Sequence, residues 1–346
     1  MVTLVIRLES DAATARLVDV DGDIAAIRRE KLAPKDMRGS AGIVDPHRIT
    51  EVITSFVNQA RSTFAIPLTV VAVTCPGTID PAHQTIMKSS RLSILQPLNC
   101  GELVRAQNIK LYLFNDAISM AQAELHRLGV DHMPSDAVFI VVGQGVGSAI
   151  YLDNKLYVGA GAGGHIGRIV VNPAGPMSHR FNLSGTLEAY TSHESLVQRL
   201  IGENKDDAEK TPETEFRAKA YFRFRQILQA AKRPLDVGIH EMASALAEGD
   251  PLVVEAVDDA AKYLGQAISY IITLLNPSLI VVGGELIDGL PSYFERASIF
   301  AKRYSSRLGW EKTKLVKAAL GLDAQFLGAA ELVAGLEDHR VHAHWS

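Results

Sequence analysis

VVGQGVGSAIYLDNKLYVGAGAGGHIGR, residues 141–168, decides how the rest of the chain is read. AVFIVVGQG (137–145) leads into it as a continuous apolar run, the pattern of a strand buried on both faces. Gly143, Gly145 and Gly147 then form a glycine-rich turn between strands. VGSAIYLDN and KLYVG read as a hairpin about Asp153–Asn154, residue types that suit a tight turn. The stretch closes on GGHIGR (163–168), where His165 and Arg168 stand among small residues, as in a site rather than a spacer.

Outward from this stretch the chain alternates. Before it, TLVIRLE (3–9) and ATARLVDVDGDIAAIRRE predict three short antiparallel strands, with a turn at Asp21–Gly22. PHRITEVITSFVNQARSTF (46–64) carries Ile49, Val52, Ile53, Phe56 and Val57 on one helical face. LTVVAVTC (68–75) and KLYLFND (110–116) are strands, and AISMAQAELHRLG (117–129) is a helix closed by Gly129. After it come a long helix (251–276), the strand SLIVVGG (278–284), the strand KLVKAAL (314–320) and a last helix from residue 323. Hairpin strands, helix, strand and helix thus occur twice in order, without a residue-level repeat. The expectation is an α/β protein with two halves, mixed sheets and a cleft between them.

Composition bounds the rest. The chain has 346 residues, 47% hydrophobic and 21% charged, with a formal net charge of −4. That is an ordinary globular composition of about two domains, with no basic surplus for nucleic acid. Cys75 and Cys100 cannot form a disulfide framework. MVTLVIRLES has no basic start or long apolar core, and AISYIITLL (267–275) is too short to span a bilayer, so a cytoplasmic location is expected. FRAKAYFRFR (216–225) reads as an amphipathic helix with a solvated basic side. The tail with His339, His342 and His344 reads as a frayed end.

Six stretches together resemble the ROK family of repressors, open reading frames and sugar kinases. They are VAVTCPGTID (71–80), LFNDAISMAQAE (113–124), the stretch 141–176, SGTLEAYTS (184–192), NPSLIVVGGEL (276–286) and DAQFLGAAELV (323–333). The resemblance implies two actin-like (ribonuclease H-like) domains, 1–117 and 118–322, with helix 323–341 packed back on the first. It implies mixed sheets around a central cleft that holds a sugar.

Residue by residue, it makes Asp116 the general base of a sugar kinase and places Asn115 beside it. Read alone, Asp116 is a helix cap, and in the company of the other motifs the pocket is favoured. Gly143, Gly145 and Gly147 match the turn that helps hold the nucleotide, with Gln144 in place of Thr. Gly283 and Gly284 match the adenosine position. Each is also an ordinary tight turn. Glu188 matches a sugar contact and reads equally as a solvated first-turn Glu.

The departures matter as much. Family kinases carry DxGGT in the first hairpin. Here the matching residues are Arg7, Leu8, Glu9, Ser10 and Asp11. Both glycines are gone, and two carboxylates fall where phosphate oxygens should lie. Like charges ~4 Å apart cost on the order of 1 kcal/mol in water and several near a protein surface. The segment GEIGH is replaced by one with His165 and Arg168 in the Glu and His places. The zinc loop CxCGxxGC becomes SHRFNLSGT (178–186), with His179 and no cysteine, so no zinc and no other metal is expected. Arg91 replaces a family Asn. His165, Arg168 and Arg91 make the pocket more cationic, which suits an acidic or phosphorylated sugar. The competing reading pairs the two arginines with Asp116 and Glu188 in an empty pocket.

The reading favoured is a sugar-sensing, effector-binding domain of a ROK-type transcriptional regulator. It has lost kinase activity, uses no cofactor, forms a homodimer and has no membrane partner. No helix-turn-helix is seen, because the first strand starts at residue 3, so DNA is expected only through a segment absent from this chain. The alternatives are an Mg·ATP-dependent sugar kinase with Asp116 as base, and a ligand-free scaffold.

Overall fold

The computed structural model describes residues 2–9, 12–19, 24–30, 46–64, 68–80, 82–89, 92, 94, 96–101, 108–128, 135–159, 163–178, 181–202 and 237–337. Arg91, Ser10, Asp11, His179, Gly129, the Asp21–Gly22 turn, the basic segment 216–225 and the histidines of the tail lie outside the described residues. The chain forms two compact units. One takes in Met1–Met133, Lys155–Gly163 and Leu322–Ser346, the other Pro134–Asn154 and Gly164–Gly321.

The first sheet contains β1 (Thr3–Leu8), β2 (Ala13–Val18), β3 (Ile24–Glu30), β4 (Val70–Cys75) and β8 (Lys110–Asn115), in the order β3-β2-β1-β4-β8. β1 pairs antiparallel with β2, and β4 runs parallel to both β1 and β8. Between β4 and β8, the short strands β5 (Thr78–Asp80), β6 (Thr85–Lys88) and β7 (Leu98–Asn99) form a small sheet of their own. Alternate residues of β1 divide between two cores. Leu4, Ile6 and Leu8 join Ile49, Ile53 and Phe56 of helix Pro46–Phe64. Val5 turns to the other face and joins Phe114, Phe326, Ala329 and Val333. Helix Ala324–Glu337 packs there against β1 and against helix Asp116–Arg127. Close approach of those two helices requires Gly328, where a Cβ would lie 1.8 Å from Ser119 O. Helix Asp116–Arg127 therefore belongs whole to the first unit, and the boundary expected between residues 117 and 118 falls inside it.

The second sheet repeats the order with β9 (Ala137–Val142), β10 (Val146–Leu152), β11 (Lys155–Tyr157), β14 (Leu279–Gly283) and β15 (Lys314–Lys317), as β11-β10-β9-β14-β15. The twofold occurrence of one element order is thus a real repeat of architecture. The hairpin turn is the one expected, since Asp153 and Asn154 both take positive φ, 53° and 59°. Asp250 caps helix Pro251–Leu275 by accepting from Leu252 N and Val253 N, and Asn276 ends it in the left-handed conformation. Its buried stripe of Ala256, Ala260, Ala261, Leu264 and Ile268 joins the core under the sheet. Each large apolar side chain buried there contributes roughly 1.5–3 kcal/mol. A short hairpin, β12 (Met177–Ser178) and β13 (Leu183–Ser184), precedes the helices Leu187–Thr191 and His193–Gly202.

Candidate functional site

In the first unit, the chain passes from β8 directly into a helix at Asn115–Asp116. The cap is Asn115. Its Oδ1 accepts from Ala117 N at 2.9 Å and Ile118 N at 3.4 Å, while its Nδ2 donates to Gly77 O at 2.9 Å. Gly77 holds φ +135°, and a Cβ there would meet Lys88 O at 2.5 Å, so the turn needs glycine. Asp116 is the first helical residue, with Oδ1 accepting from Ala117 N at 2.9 Å. A carboxylate at this place is favoured by the helix N-terminus. The alternative of Asp116 as the cap residue is thereby set aside. Cys75 lies beside Asn115 in register. Burial, then the charges of Cys100 and Asp116, push its thiol up, so it stays protonated and inert.

Arg7 is built into the interior, with 8% of its surface exposed. Its Nη2 lies 3.2 Å from both carboxylate oxygens of Glu9, and its guanidinium stands 5.2 Å from the Phe326 ring centroid. The Glu9 charge is therefore compensated. This corrects the picture of two bare carboxylates in the first loop: a cation occupies the first place of the motif and binds one of them. Asp11 is outside the described residues.

In the second unit, the glycine turn is held by the protein's own groups. Gly143 N donates to Gly145 O at 2.9 Å, and His193 N donates to Gly143 O at 2.9 Å. Gln144 Nε2 lies 3.1 Å from His193 Nδ1, and His193 Nε2 lies 3.0 Å from Val237 O. A tautomer with its proton on Nε2 satisfies both contacts. Glu188 is buried, and its Oε2 accepts from Val146 N at 2.8 Å at the exit of the turn. The solvated-Glu reading is corrected accordingly: the side chain turns inward because a strand amide needs an acceptor. We expect Glu188→Ala to cost about 1–3 kcal/mol in a denaturant melt, because it orphans a buried N–H. Glu188→Gln, which keeps an acceptor oxygen, should cost less.

Gly283 and Gly284 serve packing. A Cβ on Gly283 would meet Ala318 Cβ at 2.5 Å, and one on Gly284, which holds φ +107°, would meet Val142 O at 2.5 Å. The next residue, Glu285, lies across the glycine turn. A Cβ on Gly143 would stand 3.1 Å from its Cγ and 3.2 Å from its Oε1. That Oε1 is buried with no hydrogen-bond partner. Sequence reasoning missed both His193 and Glu285. His193 carries no local signal, while Glu285 directly follows the glycine pair.

His165 precedes a short 3₁₀ turn, Ile166–Arg168. Burial, and then Arg168, hold its imidazole below the usual histidine range, so it is neutral at pH 7 and adds no positive charge. Arg168 is exposed, and its guanidinium stands 5.1 Å from the Phe181 ring centroid. Phe181 belongs to the cysteine-free segment between β12 and β13. The structure thus brings together Asn115 with Asp116, His165 with Arg168, and Glu188 with the glycine turn. Among the described residues, no group of three or more His, Cys, Asp and Glu side chains is placed to hold a metal ion, and no helix is long and apolar enough to cross a membrane.

Known proteins share this fold. The DNA-binding transcriptional dual regulator NagC of Escherichia coli K12 is 25% identical over 285 residues, covering 82% of this chain and 63% of NagC. The chain therefore spans less than two thirds of the length of that relative. A glucokinase of Streptomyces coelicolor is 27% identical over 293 residues, covering 83% of this chain and 86% of the enzyme. Among solved structures, a ROK family transcriptional regulator homologous to the E. coli MLC protein superposes with a TM-score of 0.76 at 22% identity, over 97% of this chain and 78% of that one. A ROK family glucokinase from Streptomyces griseus, in complex with glucose and AMPPNP, gives 0.74 at 24% identity, over 96% and 99%. The ROK family model matches residues 10–335, nearly the whole length, and on that match the chain belongs to the ROK family and has its actin-like fold.

Proposed function

We propose that this chain is the sugar-sensing, effector-binding part of a ROK-type transcriptional regulator and does not phosphorylate sugars. The observation that carries the reading is Arg7. At the first position of the phosphate motif it is buried, tied to Glu9 and stacked on Phe326. An Asp that serves a metal is thereby replaced by a cation committed to the fold. Glu285 supports the same reading. A carboxylate lying on the Gly143–Gly145 turn repels phosphate oxygens where backbone amides would have to receive them. Neither place fits Mg·ATP, and the segment around Phe181 does not fit zinc.

The relatives include an N-acetylglucosamine repressor, a xylose repressor and glucokinases, which supports a small-molecule sugar as effector. Asn115, Asp116, His165 and Glu188 supply hydroxyl partners in this reading, and Arg168 supplies the recognition of an acidic or phosphorylated group. Arg91 would add to it. Homodimerisation, and DNA contact through a segment outside these 346 residues, belong to the same proposal.

One observation favours the kinase reading: Asn115 does the capping, which leaves Asp116 at the helix start as a potential base. Calorimetric titration with Mg·ATP, alone and beside neutral, acidic and phosphorylated sugars, separates the two. Sugar binding without ATP binding is expected, with Asp116→Asn weakening it. ATP binding that strengthens in the presence of a sugar would overturn the reading of Arg7 and restore the kinase. Silence across the whole panel would overturn the sensor and favour a scaffold.

A further inference from the structure

We propose that the second unit carries its own binding site for a neutral, hydroxyl-rich small molecule, a sugar or polyol, in the cavity between the Pro176–Ser178 segment and the helices Leu187–Thr191, His193–Gly202 and Pro251–Leu275. This cavity has a volume of about 470 Å³, within the range of small-molecule sites. None of Asn115, Asp116, His165 and Arg168 lines it. Glu188 does, but its Oε2 is engaged with Val146 N.

The aromatic wall is rigid. The Tyr190 and Tyr263 rings stack with centroids 3.8 Å apart and planes at 28°. Asn172 Nδ2 donates to both hydroxyls, at 2.9 Å and 3.3 Å. Gly175 closes over the Tyr190 hydroxyl so tightly that a Cβ would lie 2.1 Å from it. Burial, then the bond to Tyr263, push the Tyr190 phenol up to about 12, so the wall is uncharged at neutral pH. An apolar ring face of this kind suits the C–H face of a pyranose.

The polar lining decides the ligand class. Glu188, Glu194 and Asp259 face one lining cation, Arg199, whose Nη2 is paired with Asp259 Oδ2 at 2.8 Å. Carboxylates therefore exceed cations, and a phosphate or an acid would meet repulsion. Gln198 Nε2 donates to Glu194 Oε1 at 3.2 Å, as Arg199 does to Asp259, so the lining is two donor–acceptor pairs, and in this proposal ligand hydroxyls add to those bonds, donating to the carboxylates and accepting from the amide and guanidinium. Acceptors, donors and an aromatic face in one cavity are complementary to a sugar without charge. The selectivity is opposite to that proposed for Arg168, so the two sites can be told apart.

The test is calorimetric titration of the whole chain with D-glucose, N-acetyl-D-glucosamine and D-xylose, and with glucose 6-phosphate and gluconate as anionic counterparts. Wild type, Glu194→Gln, Asp259→Asn and Asp116→Asn are compared, with thermal melts to verify folding. We expect at least one neutral sugar to bind, with affinity about tenfold or more lower in Glu194→Gln and Asp259→Asn than in wild type, the size expected for losing a hydrogen bond to a charged acceptor. Neutral-sugar binding that Asp116→Asn removes and the cavity variants leave intact would overturn the proposal. So would preference for the anionic sugars in this cavity, or no binding of any neutral sugar by folded protein. The proposal does not rest on the regulator reading, since a kinase could hold the same site.

Discussion

Phe326→Ala should destabilise the first unit by about 3–5 kcal/mol, the range for truncating a fully buried aromatic ring. The ring has no exposed surface and sits among Val5, Val70, Ala72, Phe114 and Ala329. Two cations rest on it, Arg7 at 5.2 Å and Arg16 at 4.3 Å from the centroid. Such contacts are worth roughly 0.5–2 kcal/mol each. Removing the ring also strands Arg7, whose Nε already has no hydrogen-bond partner in the interior. Arg16 would keep its bond to Asp323 at 2.6 Å. Phe326→Leu retains much of the apolar volume and loses the cation contacts, so a cost of about 1–2 kcal/mol is expected. Chemical denaturation followed by hydrogen exchange in helix Ala324–Glu337 reads both. A loss under about 1 kcal/mol for the alanine variant would show that Arg7 and Arg16 are not held by this ring. The functional corollary is direct. If Arg7 anchors the last helix, an Arg7→Asp change that restores the phosphate-motif residue should cost stability rather than create ATP binding.

Much of the fold was legible because local chemistry and tertiary structure agree. The continuous run of β14, the apolar stripe of Pro251–Leu275 with Asp250 and Pro251 at its start, and Asp153–Asn154 at a tight turn each carry their own signal. The strand-to-helix junction at Asn115–Asp116 was legible too, but not which residue caps, because both side chains reach Ala117 N. The rest was hidden for one reason: its partners are distant in sequence. Glu285 meets Gly143, Arg7 meets Phe326, and Tyr190 meets Tyr263 across sequence separations that no periodicity encodes. Arg168 shows how a residue type is legible when its partner is not. Its type signalled an anion, and the fold adds what type alone could not name, the Phe181 ring beside its planar group. His165 similarly counted as a cation until burial was known.

Stability should fall as pH rises from about 4.5 to about 7, and Glu331→Gln should remove that slope. Glu331 lies on helix Ala324–Glu337, with 22% of its side chain exposed and His126 Nδ1 2.8 Å from Oε1. Burial raises its pKa from 4.5 to about 7, against the opposing pull of His126 and Gln122. A carboxyl with a raised folded pKa binds more protons folded than unfolded between those two values. The slope of stability with pH is then negative through that window. The contribution is fully present below about 4.5, declines as the acid ionises, and is gone above about 7. At about 1.4 kcal/mol per unit, reduced by the carboxyl's partial exposure, the change is on the order of 1–3 kcal/mol. Gln keeps the size and an oxygen for His126 but cannot ionise. The variant should therefore match wild type at pH 4.5 and exceed it at pH 7.5, as measured by the denaturant midpoint at each pH. A slope through this window that survives in Glu331→Gln would place its origin in another group, and equal stability of the two proteins at pH 7.5 would show that the ionised carboxylate is well solvated between the two helices.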